Sequence, residues 1–288
     1  MLWGFFKKLV IADRAAILAE QVFRNYTEYS GLAVLVGLLV YTMQLYTDFS
    51  GCVDICRGCA ELVGVKLMDN FRRPFLSRSI TELWRRWHIS LSSWLRDYVY
   101  IPLGGSRRGK LRRHINMCLV FTLSGLWHGA GLNYIFWGAM HGLFMVAEAL
   151  GEKLLRRLPG PIRQLGCFLL VAWAYIFFRA PGLRAGLVMT LKMLRGPWLG
   201  QLRDGSLLNL GLDMPQLIVL GGALLLLLAV SLMQERLESR HQGGLRQLIA
   251  ELPLPLGWAI WLTLTMAVLI FGIYGPGYSS AAFIYMGF

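Results

Sequence analysis

The chain has 288 residues, 56% of them hydrophobic and only 16% charged, where soluble domains carry about 25% charged residues. That balance excludes a disordered, collagen-like or disulfide-stapled protein and indicates a multi-spanning membrane protein. The net charge of +13 invites a nucleic-acid reading, but Arg72 to Arg113 holds eleven basic residues against Glu82 and Asp97 alone, and a basic segment between apolar runs is a positive-inside signal.

Met1 to Phe6 is apolar and Lys7 and Lys8 follow at once, as at the tail of a span, so further helices are expected upstream. No cleavable leader with a small-residue cleavage site is legible there. The five cysteines, an odd number, make no disulfide framework and are expected to be reduced or buried in the membrane. Ile11, Ala15, Leu18 and Val22 recur at helical spacing beside Asp13, Arg14, Glu20 and Arg24, which predicts a helix lying along a membrane surface. The first uncharged run, Gly31 to Thr47, stops at Asp48. Cys52-x-x-x-Cys56-x-x-Cys59 has the spacing of a three-thiolate iron–sulfur site, yet nothing around it alternates strand and helix. At i, i+4 and i+7 the thiols share one helix face, and packing against a neighbour is the simpler reading.

Ser79-x-x-Glu82 predicts a capping box opening a helix whose Trp84, Trp87, Leu91 and Trp94 form one stripe. Tryptophan favours the headgroup level, so this helix is expected at the interface on the basic side. On it lies His88, which either positions a substrate at a cytoplasmic mouth or sits between water and lipid. Arginine forks match phosphate oxygens, making Arg85, Arg86 and Arg96 candidate contacts for a donor's phosphates; the plainer reading is a topology signal touching anionic lipid. Asp97 is a supporting candidate, but for it, as for Asp48, a paired structural charge is the plainer reading.

Ile115 to Leu150 contains one formal charge, Glu148, and is flanked by Arg112 and Arg113 before it and Lys153, Arg156 and Arg157 after it. Both ends then face the cytoplasm, so the chain must go in and come back, with arms of about 13 to 16 residues against the roughly 20 of a full crossing. The turn at His128-Gly129-Ala130-Gly131 is therefore expected deep in the membrane, where irregular backbone is tolerated only inside protein or against a watery cavity. An ionisable group at that depth is a functional hypothesis by default, and burial favours a neutral imidazole able to accept a proton. His128 is the leading catalytic candidate, against the alternative of a packing histidine bonded to a carbonyl. Trp127, Asn133 and His141 are supporting candidates, with core packing the plainer role for His141. His114 and His241 read as loop residues, and no metal site is expected. Leu165–Phe178, Pro215–Gln234 and Leu252–Phe288, the last broken at Gly275-Pro276-Gly277, bring the membrane segments to roughly five or six.

LWGFFKKLVIADR at the start, QLYTDFSG, NFRRPFLSRSITELWRRWHISLSSWLRDYVYIPLGG from Asn70, SGLWHGAGLNYIFWGAMHG from Ser124, FFRA ending at Ala180 and the terminal FIYMGF are long, ordered motifs. In them the sequence resembles the membrane-bound O-acyltransferase family, in the bacterial branch containing the alginate O-acetyltransferase membrane subunit. The resemblance implies an all-α, polytopic helix bundle with interfacial and re-entrant helices around a tunnel. It puts the family's deep-membrane histidine on His128 and a second characteristic histidine on His88. It also implies transfer of an acetyl group from cytoplasmic acetyl-CoA toward hydroxyls of a cell-surface polysaccharide, without a bound cofactor. The expected partners are acetyl-CoA, membrane lipid and extracytoplasmic polysaccharide-acetylating proteins, not nucleic acid, and the expected location is the bacterial cytoplasmic membrane. Residues 1–288 are expected to form a single O-acyltransferase domain. Family members carry several helices before the LWGFFKK stretch, so this chain is expected to lack them. The alternatives are a channel or transporter with His128 and His141 on its path, which should show paired repeats and more intramembrane charge, and an inactive scaffold that docks partners.

Overall fold

The computed structural model describes residues 1–240 and 244–274, and among the described residues it contains helices and no strand. The helix α1 (Leu2–Phe5) runs through a π-helical stretch, Phe6–Ala12, into α2 (Asp13–Arg24), followed by α3 (Gly31–Leu62), α4 (Ile80–Arg86) and α5 (Ile89–Leu95). After a second π-helical turn, Arg96–Tyr100, come α6 (Lys110–His128), α7 (Leu132–Leu155), α8 (Gly160–Arg179), α9 (Leu183–Arg195), α10 (Trp198–Arg203), α11 (Met214–Ser239), α12 (Leu245–Ala250) and α13 (Leu254–Phe271).

Among the described residues four helices, α3, α8, α11 and α13, are long and apolar enough to cross a membrane. The helix that begins with the uncharged run from Gly31 continues past Asp48 to Leu62. The two arms α6 and α7 fall short of that apolarity, because His, Asn, Tyr, Trp and Gly interrupt their aliphatic residues and the helices continue into charged flanks at Lys110–Arg113 and Glu148–Lys153. The arms are consequently longer than the uncharged run alone predicts. The terminal FIYMGF, the Gly275-Pro276-Gly277 break and His241 lie outside the described residues.

The chain divides into two compact units. The first comprises Met1–Gln21, Val40–Leu67 and the described residues between Gly205 and Tyr274. Lys7 and Lys8, which the sequence suggests as a flank of basic charge, are here consumed in buried ion pairs. Lys8 Nζ lies 2.8 Å from Asp13 and 2.7 Å from Asp48, and Lys7 Nζ lies 2.9 Å from Asp54 while donating to Ser50 Oγ. Burying charge is tolerable only with such partners, so Asp48 is a structural counter-charge. Arg14 donates to the carbonyls of Val10 and Phe271. The stripe Ile11, Ala15, Leu18 and Val22 is fully buried inside protein; it is a packing face, not a surface that rests on lipid. Of the three thiols on α3, Cys52 is half-buried and Cys56 and Cys59 are exposed, with Cys59 Sγ 3.5 Å from Met1 Sδ. The expected packing of all three against a neighbour does not hold.

The second unit comprises Val22–Leu39 and Met68–Asp204 and is organised by the hairpin α6–α7. The two helices approach through glycines: a Cβ built on Gly125 would lie 2.2 Å from the Tyr134 carbonyl oxygen, and one on Gly138 2.1 Å from that of Phe121. Gly142 packs in the same way against Cys118. The expected tryptophan-striped helix is broken in two at Trp87–His88, and Trp84 and Trp87 are buried inside protein; only Trp94 is exposed. Ser79 Oγ accepts from Glu82 N–H as a helix cap, but the Glu82 carboxylate accepts from Arg78 N–H, so the reciprocal half of the box closes one residue early. The next N–H groups of α4, those of Ile80 and Thr81, donate to Glu148, which ties α4 to the far end of α7.

Because the helix backbones leave no room for a methyl group, Gly138→Ala is expected to destabilise the protein by about 1–3 kcal/mol. Gly166→Ala, at a position with open space around the new Cβ, is expected to be neutral or stabilising by up to ~1 kcal/mol. Thermal unfolding in detergent micelles compares the two.

Candidate active site

The residues with the most unusual surroundings are the histidines of the second unit. His128 is the last residue of α6. Gly129 turns away from the helix in an extended conformation with its N–H on the Leu126 carbonyl, and the Gly131 carbonyl accepts from Tyr134 and Ile135 at the start of α7. The chain reverses where the sequence places its glycines. His128 is 5% exposed, and aromatic rings close around it edge to face: Trp127 at 4.8 Å between centroids, Trp137 at 5.3 Å and Phe178 at 5.1 Å. Phe178 is held in place from behind, because Asn133 Nδ2 donates to the Phe177 carbonyl at 3.2 Å and to that of Ala180 at 3.4 Å. Asn133 thus pins the end of α8 to the start of α7.

The aromatic layer continues along α7. Trp137 meets His141 at 4.9 Å, and His141, fully buried, accepts a hydrogen bond at Nδ1 from Trp84 Nε1 at 3.4 Å. On its other side Trp127 meets His88 at 6.1 Å. Trp127 is 56% exposed and stands between the rings of the two histidines, both of which are buried.

His88 occupies the break between α4 and α5. Trp87 is extended, with φ −111°, and His88 is left-handed, with φ 45°, a conformation that costs a residue with a Cβ roughly 1–2 kcal/mol. Asn70 holds the break: its carbonyl accepts from Ile89 N–H, and its Oδ1 accepts from both the N–H and the hydroxyl of Ser90 at 3.0 Å. The Ser90 hydroxyl is also 3.3 Å from His88 Nδ1. Trp87 anchors the other side, its ring against Phe71, Phe75 and Tyr175. Nothing in the sequence marks Asn70 or Trp84 for this site: Asn70 belongs to no periodic pattern, and the stripe directs Trp84 to a membrane interface.

His88, Trp127, His128, Asn133 and His141 are therefore brought into one aromatic assembly. The polar candidates lie elsewhere. Asp97 and Arg96 pair with each other at 2.7 Å in an exposed position. Arg86 pairs with Glu82 at 2.6 Å, and Arg85 is exposed. His114 stands in the helix α6, not in a loop. Among the described residues no three His, Cys, Asp or Glu side chains are placed to hold a metal ion.

A model of the membrane-bound O-acyltransferase family matches residues 16–189. A probable alginate O-acetylase AlgI of Pseudomonas fluorescens is 45% identical over 219 residues, 75% of this chain and 44% of that protein. A peptidoglycan O-acetyltransferase of Helicobacter pylori is 39% identical over 197 residues, 67% of this chain and 37% of that protein. A teichoic acid D-alanyltransferase of Bacillus subtilis is 36% identical over 157 residues, 52% of this chain and 40% of that protein. The chain spans less than half the length of these curated relatives. It belongs to the membrane-bound O-acyltransferase family and is a membrane protein.

The left-handed backbone at His88 separates its scaffold role from that of its ring. His88→Gly and His88→Ala both remove the imidazole, but only glycine adopts that conformation freely. The glycine variant is expected to be the more stable by about 1 kcal/mol, read as a higher melting temperature. Equal melting of the two would show that the break carries no strain.

Proposed function

We propose, from the premise of that family membership, that this chain carries the reaction centre of an O-acetyltransferase. It moves an acetyl group from cytoplasmic acetyl-CoA toward hydroxyls of a cell-surface polysaccharide, with His128 as general base. The observation that carries this reading is the buried imidazole at the turn of the hairpin, closed in by the edges of Trp127, Trp137 and Phe178. The names of the relatives, which are acetylases and acyltransferases of cell-surface polymers, support the substrate class.

The reaction asks for little beyond a placed base. His128 takes the proton of the acceptor hydroxyl as its oxygen attacks the acetyl carbonyl carbon; the C–O bond forms, the C–S bond breaks, and the departing thiolate takes the proton back. Aromatic walls keep bulk water, the competing nucleophile, from the thioester. His128 lies fourteen residues beyond His114, about 21 Å along the helix at 1.5 Å per residue, well inside a hydrocarbon core of about 30 Å. In this reading the hairpin is re-entrant and a tunnel brings donor and acceptor to His128 from opposite faces. His88, next to Trp127, is a positioning residue for the donor arm, and the basic segment faces the cytoplasm, where the exposed Arg85 meets donor phosphates. The chain acts as a single acyltransferase domain in the bacterial cytoplasmic membrane and hands its acetyl group to extracytoplasmic partner proteins.

His128→Gln is expected to lower acetyl transfer from labelled acetyl-CoA in membranes by 10²–10⁴-fold, roughly the worth of a general base, at unchanged protein level; unaltered transfer removes the catalytic role. Arg85→Glu is expected to raise KM for acetyl-CoA roughly fivefold, the scale of one exposed charge pair, while leaving kcat nearly unchanged. Unchanged KM confines that arginine to topology.

A further inference from the structure

Three polar atoms on the facing sides of the hairpin find no hydrogen-bond partner among the described residues: Nε2 of His141, Nε1 of Trp137 and Oγ of Ser124. All three side chains are more than nine-tenths buried. Ser124 lies one turn before His128 on the same face of α6, and the Trp137 ring touches both His128 and His141. The Trp137 ring links His141 to the proposed base.

The chemistry of these groups narrows what they can take. An indole N–H donates and never accepts. Because Trp84 Nε1 donates to Nδ1 of His141, that nitrogen presents its lone pair, and the proton of the neutral ring sits on Nε2. The His141 Nε2–H and the Trp137 Nε1–H are therefore both donors, and the Ser124 hydroxyl is able to donate as well. A buried layer of donors without an acceptor is unfavourable, and an oxygen supplied from outside satisfies it.

Building on the reading of His128 as base, we infer that His141, locked by Trp84 and flanked by Trp137, donates to the carbonyl oxygen of the acyl thioester as it becomes an oxyanion. When the acceptor oxygen attacks and His128 takes its proton, the carbonyl π electrons move onto that oxygen, which accepts the N–H of His141. When they return, the C–S bond breaks and the thiolate takes the proton from His128. His141 touches the reacting atoms in this step; Trp84 is a positioning residue that sets the tautomer. Preorganised donors of this kind act on charge that develops only in the transition state, so they raise kcat without tightening ground-state binding.

The test uses the full chain in membranes with labelled acetyl-CoA. His141→Phe keeps a ring and removes the donor, and its kcat is expected to fall about 10²–10³-fold with KM for acetyl-CoA within about threefold. His141→Gln, which restores an N–H, is expected to recover at least roughly tenfold of that loss. In the wild-type protein the nitrogen-15 shifts of His141 should report the proton on Nε2, and Trp84→Phe should release a tautomer mixture and lower kcat. A wild-type ring protonated on Nδ1 overturns the inference whatever the activity, and so does a glutamine variant no better than the phenylalanine variant at equal folded level. Transfer that survives His128→Gln sinks the base itself, whereas loss at His128→Gln with full transfer in His141→Phe sinks only the role of His141.

Discussion

Where α6 and α7 cross at Gly125 and Gly138, each backbone presses on a carbonyl oxygen of the other. Residues without a side chain let the two backbones approach this closely, and the many short contacts made there hold the pair together. The consequence reaches beyond stability. Once the backbones meet at the glycines, the large side chains on either side of the crossing, Phe121 and His128 on one helix and Trp137 and His141 on the other, must share a single layer. The edge-to-face contacts of Trp137 with His128 and with His141 are the geometry that such rings prefer, and Phe121 meets His141 at a tilt.

A second constraint sets the layer's other boundary. The chain between Asn70 and Ser90 folds so that Asn70 grips both residues after the left-handed His88, and Trp84 and His88 are delivered to opposite ends of the aromatic assembly: Trp84 to His141, His88 to Trp127. Had α4 run on without the break, a continuous helix would have continued the tryptophan stripe in one direction. Backbone held in a sparsely populated conformation persists only where its surroundings over-determine it, and here the over-determination comes from Asn70 and from the ring cage around Trp87.

The first unit solves a different problem. Lys7 is paired with Asp54, and Lys8 lies between Asp13 and Asp48, which explains how a π-helical stretch carrying two lysines is accommodated inside protein. Two lysines that read in the sequence as the tail of a span are thereby part of the internal structure.

Composition and charge spacing determined a good deal alone: a helical membrane protein, a hairpin between basic flanks, and a turn beginning at His128, because uncharged length and glycine placement are local properties of the sequence. The motifs around His88 and His128 carried the family. What only the tertiary structure decided are the partners: Trp84 on His141 across fifty-seven positions, Asn70 on Ser90, Lys8 on Asp48, and the broken stripe that buries Trp84 and Trp87. Periodicity describes which face of a helix is apolar, but it is blind to whether lipid, a glycine-lined neighbour or another aromatic ring lies against that face. Only the folded chain settles that, since contacts between residues distant in sequence depend on every element packed between them.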